Sequence, residues 1–474
     1  MQGVLALDQG SHASRAIVFD AAGRECASAE VALATVRRGA TEVEHDALEL
    51  LASLRTAAEQ ALGAAQRAHP GLELVAAGLA TQRSTFVACE RGTLVPLAAA
   101  ISWQDRRNAV WLTTLQAHAP RVRALTGLPL SAHYGASKMR WCLEHLPPVA
   151  AAAARGELLL LPLAAWLVGR LTGTAAVDPA NAARTLLWDS STLDWSAELC
   201  ALFGIERACL PPCRPTRAAF GTLDLGALAV PLTACTGDQS AVPFARGTPE
   251  PDCAYVNLGT GAFIQRPLPL RPATPQPLIG SILYVDEHGP LYSLEGSVNG
   301  AGAAAAWFAR DAGVAEAQLW ALLATLDDDA ALPLFVNGVG GLGSPWWRPA
   351  ERAEFIGAGT LAARFGAVVE SIAFLIAKNL DAMTGQYGPL HRVVVTGGLA
   401  RSDWLCRRLA AIIGLPVERD GPEATARGTA LLAAARVERP RRSAPTTRFA
   451  PQHDRSLAER RERWREALHA RLAG

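Results

Sequence analysis

Two stretches of this chain, about 250 residues apart, follow one pattern, and the repetition limits what the chain can fold into more than any other feature. The first runs Val4-Leu-Ala-Leu-Asp-Gln-Gly-Ser-His-Ala-Ser-Arg-Ala-Ile-Val-Phe-Asp20: two apolar runs around a small polar loop. That is how a buried β-hairpin reads. The second, Cys253-Ala-Tyr-Val-Asn-Leu-Gly-Thr-Gly-Ala-Phe-Ile-Gln265, again sets a glycine turn between apolar strands. A pattern that heads each half of a chain is the trace of an internal duplication. Duplicated halves that face each other would place one glycine turn on either side of a cleft.

In the first turn the carboxylate of Asp8 stands where the strand ends, with Gly10 and Ser11 just beyond it. Backbone amides lining a concave turn hold phosphate oxygens, and a neighbouring acid attracts their cation. Taken alone, Asp and Gly also make an ordinary hairpin turn.

A chain of 474 residues exceeds one ordinary core, and its half-hydrophobic composition is enough for two. The expected division is 1–240, 241–437 and a tail at 438–474. A net charge of +1 gives no electrostatic case for nucleic acid or an acidic membrane as partner. Nine scattered cysteines without zinc or redox spacing fit reduced thiols and a cytoplasmic protein. The longest apolar run, Leu158 to Val168, is interrupted by Pro162 and is too short to cross a bilayer.

Along the chain, Asp46-Ala-Leu-Glu49 reads as a capping box opening a helix that ends near His69, with Leu48, Leu51, Leu54, Ala58, Ala61, Leu62 and Ala65 as its apolar stripe. The strand Leu74 to Thr81 delivers Gln82-Arg83-Ser84-Thr85, and the apolar run Leu97 to Ile101 delivers Trp103-Gln-Asp-Arg-Arg107. Strand ends are where α/β sheets build sites. His133 and Tyr134 fall in a loop before a helix, and residues 178–220 read as an irregular excursion over the first domain. In the second half Asn299-Gly-Ala-Gly302 leads into a helix, and a long helical period from Leu361 ends at Gly385. The strand Val393–Thr396 then runs into Gly397-Gly398. Those glycines suit either a flat ligand against bare backbone or close helix packing.

If the two turns grip a nucleoside triphosphate and Mg²⁺, one group must take a proton from the attacking hydroxyl. Asp238, at the end of the strand Val230–Cys235 and at the junction of the halves, is the candidate base, with Gln239 beside it. A helix-capping Asp reads the same way. There is no Gly-Lys-Ser/Thr phosphate loop, no His-Glu-x-x-His, no Gly-x-Ser-x-Gly and no dinucleotide glycine fingerprint.

Several of these segments, in order, resemble the FGGY carbohydrate kinases, glycerol kinases most of all. They are Asp8 to Asp20, Thr81-Gln-Arg83, Trp103 to Arg107, Thr126-Gly-Leu-Pro129, Gly237-Asp-Gln239, Gly259-Thr-Gly261, Leu294-Glu-Gly296, Gly341-Leu-Gly-Ser-Pro345 and Gly397-Gly398. The tail, Phe449-Ala-Pro451 and an Arg-rich helix with Trp464, is similar too. The resemblance implies an α/β fold of two actin-like, ribonuclease H-type ATPase domains with a catalytic cleft between them, ATP and Mg²⁺ as cofactors, and a small polyol or sugar as substrate. It implies that Asp8 holds the metal, that Gly10, Ser11, His12 and Arg15 lie at the transferring phosphate, and that Gly259 and Thr260 form the second phosphate turn. Gly302, Gly398 and Ser402 would form the nucleoside pocket, Asp238 would be the general base, and Arg83, Trp103, Asp238 and Gln239 would hold the acceptor.

Ser84 stands where glycerol kinases carry a Glu, His133 replaces an acceptor-contacting Tyr, and His12 replaces a Thr of the first turn. Ser84 and His133 are therefore acceptor-site positions that differ from glycerol kinases, so glycerol or a related polyol is favoured without the substrate being fixed. A second reading, a catalytically silent sugar- or nucleotide-binding regulator of the same fold, would not need an acid at the phosphate. A homo-oligomer is compatible with the sequence.

Overall fold

The structure, a computed structural model, describes residues 1–225, 229–273, 277–327, 330–435, 446–452 and 454–473. Positions 438–445 of the expected tail lie outside the described residues.

Each half is built on its own mixed sheet, and the two sheets share a plan. The opening strand Gln2–Gln9 pairs antiparallel with Ala13–Asp20, which pairs antiparallel with Glu25–Ala32. On its other side the opening strand runs parallel to Glu73–Thr81, which runs parallel to Ala229–Gly237. In the second half Cys253–Leu258 pairs antiparallel with Ala262–Leu268 and then Gly289–Val298, while its other edge runs parallel to Arg392–Thr396. Side chains alternate across a strand, and the opening strand is continuously apolar from Val4 to Leu7 because both of its faces are covered.

After its meander each half sends one long helix across a sheet face, Ala47–Ala68 in the first and Leu361–Tyr387 in the second. Asp46 caps the first, its carboxylate accepting from the N–H groups of Leu48 and Glu49. The reciprocal half of the expected capping box is not formed, since Glu49 accepts from the N–H of Ala34 instead. Leu51, Leu54, Ala58, Ala61, Leu62 and Ala65 of the expected stripe are buried, joined by Leu50 and Ala57, and the stripe departs from expectation only at Leu48, which is 52% exposed. The second helix continues two residues past Gly385 and stops at Gly388, whose φ of 79° ends it.

Residues 178–220 are not a peripheral excursion. Residues 178–190 are buried throughout, because Trp188 packs edge-on to Trp195 and Arg184 is drawn inward by an acid of the other half. The halves are also joined by the helix Ala424–Ala433, which follows the strand Val417–Arg419 of the second sheet yet packs on the first. Its Ala426, Ala430 and Ala433 meet Val4, Ala6, Phe19 and Ala76. A Cβ at Gly428 would lie 2.0 Å from the carbonyl oxygen of Ala241, so only glycine permits this approach. The C-terminal helix Arg455–Ala473 straps the second half: Trp464 donates to the carbonyl of Phe335, and Arg460 pairs with the buried Glu370.

Among the described residues no helix is long and apolar enough to cross a membrane.

Candidate active site

The ends of three parallel strands of the first sheet converge. Asp8 closes the opening strand, Gln82 to Thr85 follow the Glu73–Thr81 strand, and Asp238 follows Ala229–Gly237. Asp238 begins a short helical turn, and its Oδ1 accepts from the N–H of Gln239 at 2.6 Å. Burial raises its pKa, against the pull of Arg83, whose Nε lies 3.9 Å away. Asp8 is pushed up to about 7, first by burial and then by the negative charge of Asp238. A carboxylate whose ionisation is disfavoured by burial and by a second carboxylate forms a site a cation would relieve.

Ser11 joins the first turn to the strand end beside it. Its hydroxyl donates to Gln82 Oε1 at 3.0 Å and accepts from the indole N–H of Trp103 at 2.8 Å. Arg15 stands opposite Asp8 in the hairpin register, but its guanidinium is drawn sideways to Glu30 and to Glu423. His12 is exposed, and Gly10 closes the turn by donating to the carbonyl of Ala13.

Arg83 donates to both carboxylate oxygens of Glu295, at 3.0 and 3.4 Å, and Arg184 binds the same carboxylate. Glu295 comes from the second half, so this buried triad ties the halves together. Burial would raise the pKa of Glu295, yet Arg184 and Arg83 bring it down to about 2. Ser84 adopts a φ of 67°, which is uncommon for a residue with a side chain, and its buried hydroxyl has no hydrogen-bond partner. His133 packs edge-on against Trp103 and Tyr134, with centroids 5.4 and 5.0 Å apart. Burial, and then the charge of Arg106, hold its imidazole well below its ordinary pKa.

Across the cleft, Gly259, Thr260, Gly302, Gly398 and Ser402 line one cavity of about 1100 Å³, together with Trp320. Gly302 donates to the carbonyl of Gly259 and Ala303 to that of Thr260, so the second turn is locked onto the start of the helix Gly302–Ala312. A Cβ at Gly302 would approach the Gly259 oxygen to 2.8 Å. Asn257, on the strand leading into this turn, donates to Gln239 Oε1 at 3.2 Å and connects the cavity side to Asp238.

Residues 3–245 match the model of the FGGY family of carbohydrate kinases, N-terminal domain, and residues 254–437 that of its C-terminal domain. The chain belongs to the FGGY family of carbohydrate kinases. Its relatives include the glycerol kinase of Bordetella parapertussis, 38% identical over 454 residues, covering 91% of this chain and 88% of that one. The glycerol kinase of Thermus brockianus is 38% identical over 446 residues, covering 91% and 89%. Among solved structures, Plasmodium falciparum glycerol kinase with ADP superimposes with a TM-score of 0.89 at 24% identity, covering 99% and 98%. That likeness shows the fold, two actin-like domains.

Within this FGGY chain the sequence-expected positions fall into two groups. Asp8, Arg83, Trp103, Asp238 and Gln239 gather at the first sheet's strand ends, and the five glycine, threonine and serine positions line the cavity opposite. Sequence reasoning missed Glu295 and Arg184. The available signal was the lone acid of the strand Gly289–Val298, within the Leu294-Glu-Gly296 segment, since a buried acid needs a buried cation.

Proposed function

We propose that this chain is an ATP-dependent kinase that transfers the γ-phosphoryl group to a hydroxyl of a small polyol or sugar in the cytoplasm, with Asp238 as general base. The observation that carries this reading is the convergence of Asp8 and Asp238 at one end of a cleft whose other side is a cavity large enough for a nucleotide.

The donor set fits Mg²⁺, a hard cation that takes carboxylate oxygens together with phosphates. Asp8 would hold it, and when bound it neutralises charge on the transferring phosphate. Asp8, with its pKa near 7, is fully ionised only when a cation or higher pH favours the anion. Asp238 has Oδ1 fixed by a backbone N–H, which leaves Oδ2 to accept the proton of the acceptor hydroxyl. Arg83 and Arg184 oppose the effect of burial on Asp238, and burial makes it a stronger base than a surface carboxylate. Trp103 and His133 wall the acceptor, while Gln239, held by Asn257, presents an amide to it. Gly259, Thr260, Gly302, Gly398 and Ser402 bind the nucleotide, the glycines by letting backbone approach it closely.

The test is ADP release measured over a panel of polyols, sugars and their derivatives. Turnover that depends on one acceptor supports the proposal; hydrolysis of ATP at the same rate with or without any acceptor would overturn it.

A further inference from the structure

The cavity of about 1100 Å³ runs from the Gly259–Thr260 turn along the start of the helix Gly302–Ala312, where Ala303 and, one turn on, Ala306 line it. Its next wall is the helix Glu316–Ala324. Glu316, Trp320 and Ala324 are spaced four residues apart, which puts them on one helix face, and all three line the cavity. Further wall comes from Leu399, Ser402 and Trp404, where the helix Asp403–Ile413 begins.

Two indoles therefore border this space, and they differ in what each leaves for a ligand. Trp404 is 2% exposed, and the guanidinium of Arg408 lies over its ring at 4.9 Å. Trp320 is half-buried. Its ring stands nearly perpendicular to that of Phe365, with centroids 5.0 Å apart, and its N–H donates to Glu316 Oε1 at 3.0 Å. Phe365 and Glu316 thus fix the tilt of the indole while its exposed part borders the cavity. Ala303, Ala306 and Ala324 project no further than a methyl group, so a bicyclic ring has room beside it.

An aromatic ring held at a fixed tilt reads a base by stacking, which depends on ring area and tolerates different edges. The polar groups nearby do not form a fixed array that would tell one purine edge from another. Arg419 is paired with Asp403, and Arg401 and Arg407 are exposed to solvent. The Ser402 hydroxyl accepts from the N–H of Leu405 at 3.3 Å, and its own proton can rotate to meet a keto group or leave a lone pair for an amino group.

We propose that Trp320 is the base platform of the nucleotide site, and that the chain takes purine nucleotides as a class, adenine and guanine alike, in preference to pyrimidine nucleotides. This rests on the kinase reading and deepens it, since ATP becomes one of two donors. Glu316 is a positioning residue that acts on the base through the indole N–H.

Calorimetric titration of the full-length protein with ADP, GDP, CDP and UDP in the presence of Mg²⁺ tests this. ADP and GDP should agree within about tenfold, and both should bind at least about tenfold more tightly than CDP and UDP. Trp320→Ala should bring the ratio of purine to pyrimidine affinity within about threefold of one, and Trp320→Phe should keep most of it, with acceptor affinity unchanged in both. Glu316→Ala should lose part of the ratio, whereas Glu316→Gln, whose amide oxygen still accepts from the indole, should keep it. ADP should quench tryptophan emission in the wild type and much less in Trp320→Phe. The wild-type affinities keep the test valid if a variant fails to fold. Purines and pyrimidines that bind within about threefold of each other, a gap between ADP and GDP well beyond tenfold, or a ratio that survives Trp320→Ala would overturn the inference. ADP or GDP release from the triphosphates separates the two layers. Acceptor-dependent turnover without a purine preference keeps the kinase and sinks the platform; a purine preference in binding without turnover on any acceptor keeps the platform and sinks the kinase.

Discussion

The two glycine turns share a backbone plan and have opposite surroundings. The first ends in charge: Asp8 faces Asp238 and Arg15, Ser11 is bonded to Gln82 and Trp103, and the triad of Arg83, Glu295 and Arg184 lies at the neighbouring strand end. The second ends in space: Gly259 and Thr260 open on a cavity of about 1100 Å³ in which the small residues Gly302, Ala303 and Gly398 keep the walls low. Duplication thus supplied one shape twice, and divergence put electrostatics on one side of the cleft and room on the other. The consequence is that the sides should fail differently when altered.

The largest effect is expected from Glu295→Gln, which leaves Arg83 and Arg184 buried without their acid. Breaking a buried pair this way costs about 3–5 kcal/mol, measurable as a lower denaturation midpoint. The folded pKa of Glu295, about 2, lies below its ordinary 4.5, so the stability it contributes is complete above pH 4.5 and is lost as pH falls toward 2. The difference between wild type and variant should shrink over that interval. A variant as stable as wild type at pH 7 would show that the charged side is not braced as described.

On the open side, Gly302→Val pushes a branched side chain against the Gly259 carbonyl and into the cavity. Overpacking costs roughly 1–3 kcal/mol, so ADP affinity should fall about 10- to 100-fold in a direct titration while acceptor affinity stays within about twofold. An equal loss on both ligands would mean the two sides are not separable.

A smaller effect concerns the ligand-free protein. Asp8 has a folded pKa of about 7, above its ordinary 3.8, so the stabilisation from binding its proton is complete below about pH 3.8 and is lost as pH rises through 7. Asp8→Asn removes that loss. Its Tm should exceed that of wild type by a few degrees at pH 8 and differ less at pH 5.5, while Mg²⁺-dependent turnover disappears. A Tm difference that does not change between these pH values would place Asp8 in an unperturbed setting.

Much of this was legible in the sequence because it is written locally. Both hairpins, the long helices and the strand ends carrying Gln82–Arg83 and Asp238 follow from apolar period and turn chemistry within a few residues. The triad was not, since Arg83, Arg184 and Glu295 are separated by more than 100 residues and meet only when the halves face each other. The burial of residues 178–190 escaped for the same reason: a stretch poor in period looks peripheral unless its distant partner is known. The first long helix keeps its expected stripe except at Leu48, because a leucine just off the stripe is indistinguishable from a core residue by composition. Family resemblance supplied the proposal of which positions face the acceptor, but the charge around His133 emerged only from the folded arrangement.

The central claim is that Asp238 takes the proton on the charged side while the open side only holds the nucleotide. Single-turnover and steady-state kinetics of Asp238→Asn, with ADP affinity measured on the same preparation, test it most directly. The account predicts a kcat lower by about 10²- to 10⁴-fold with ADP binding unchanged. A variant that keeps kcat within about tenfold of wild type would contradict it, because general-base catalysis of this kind is worth more than that.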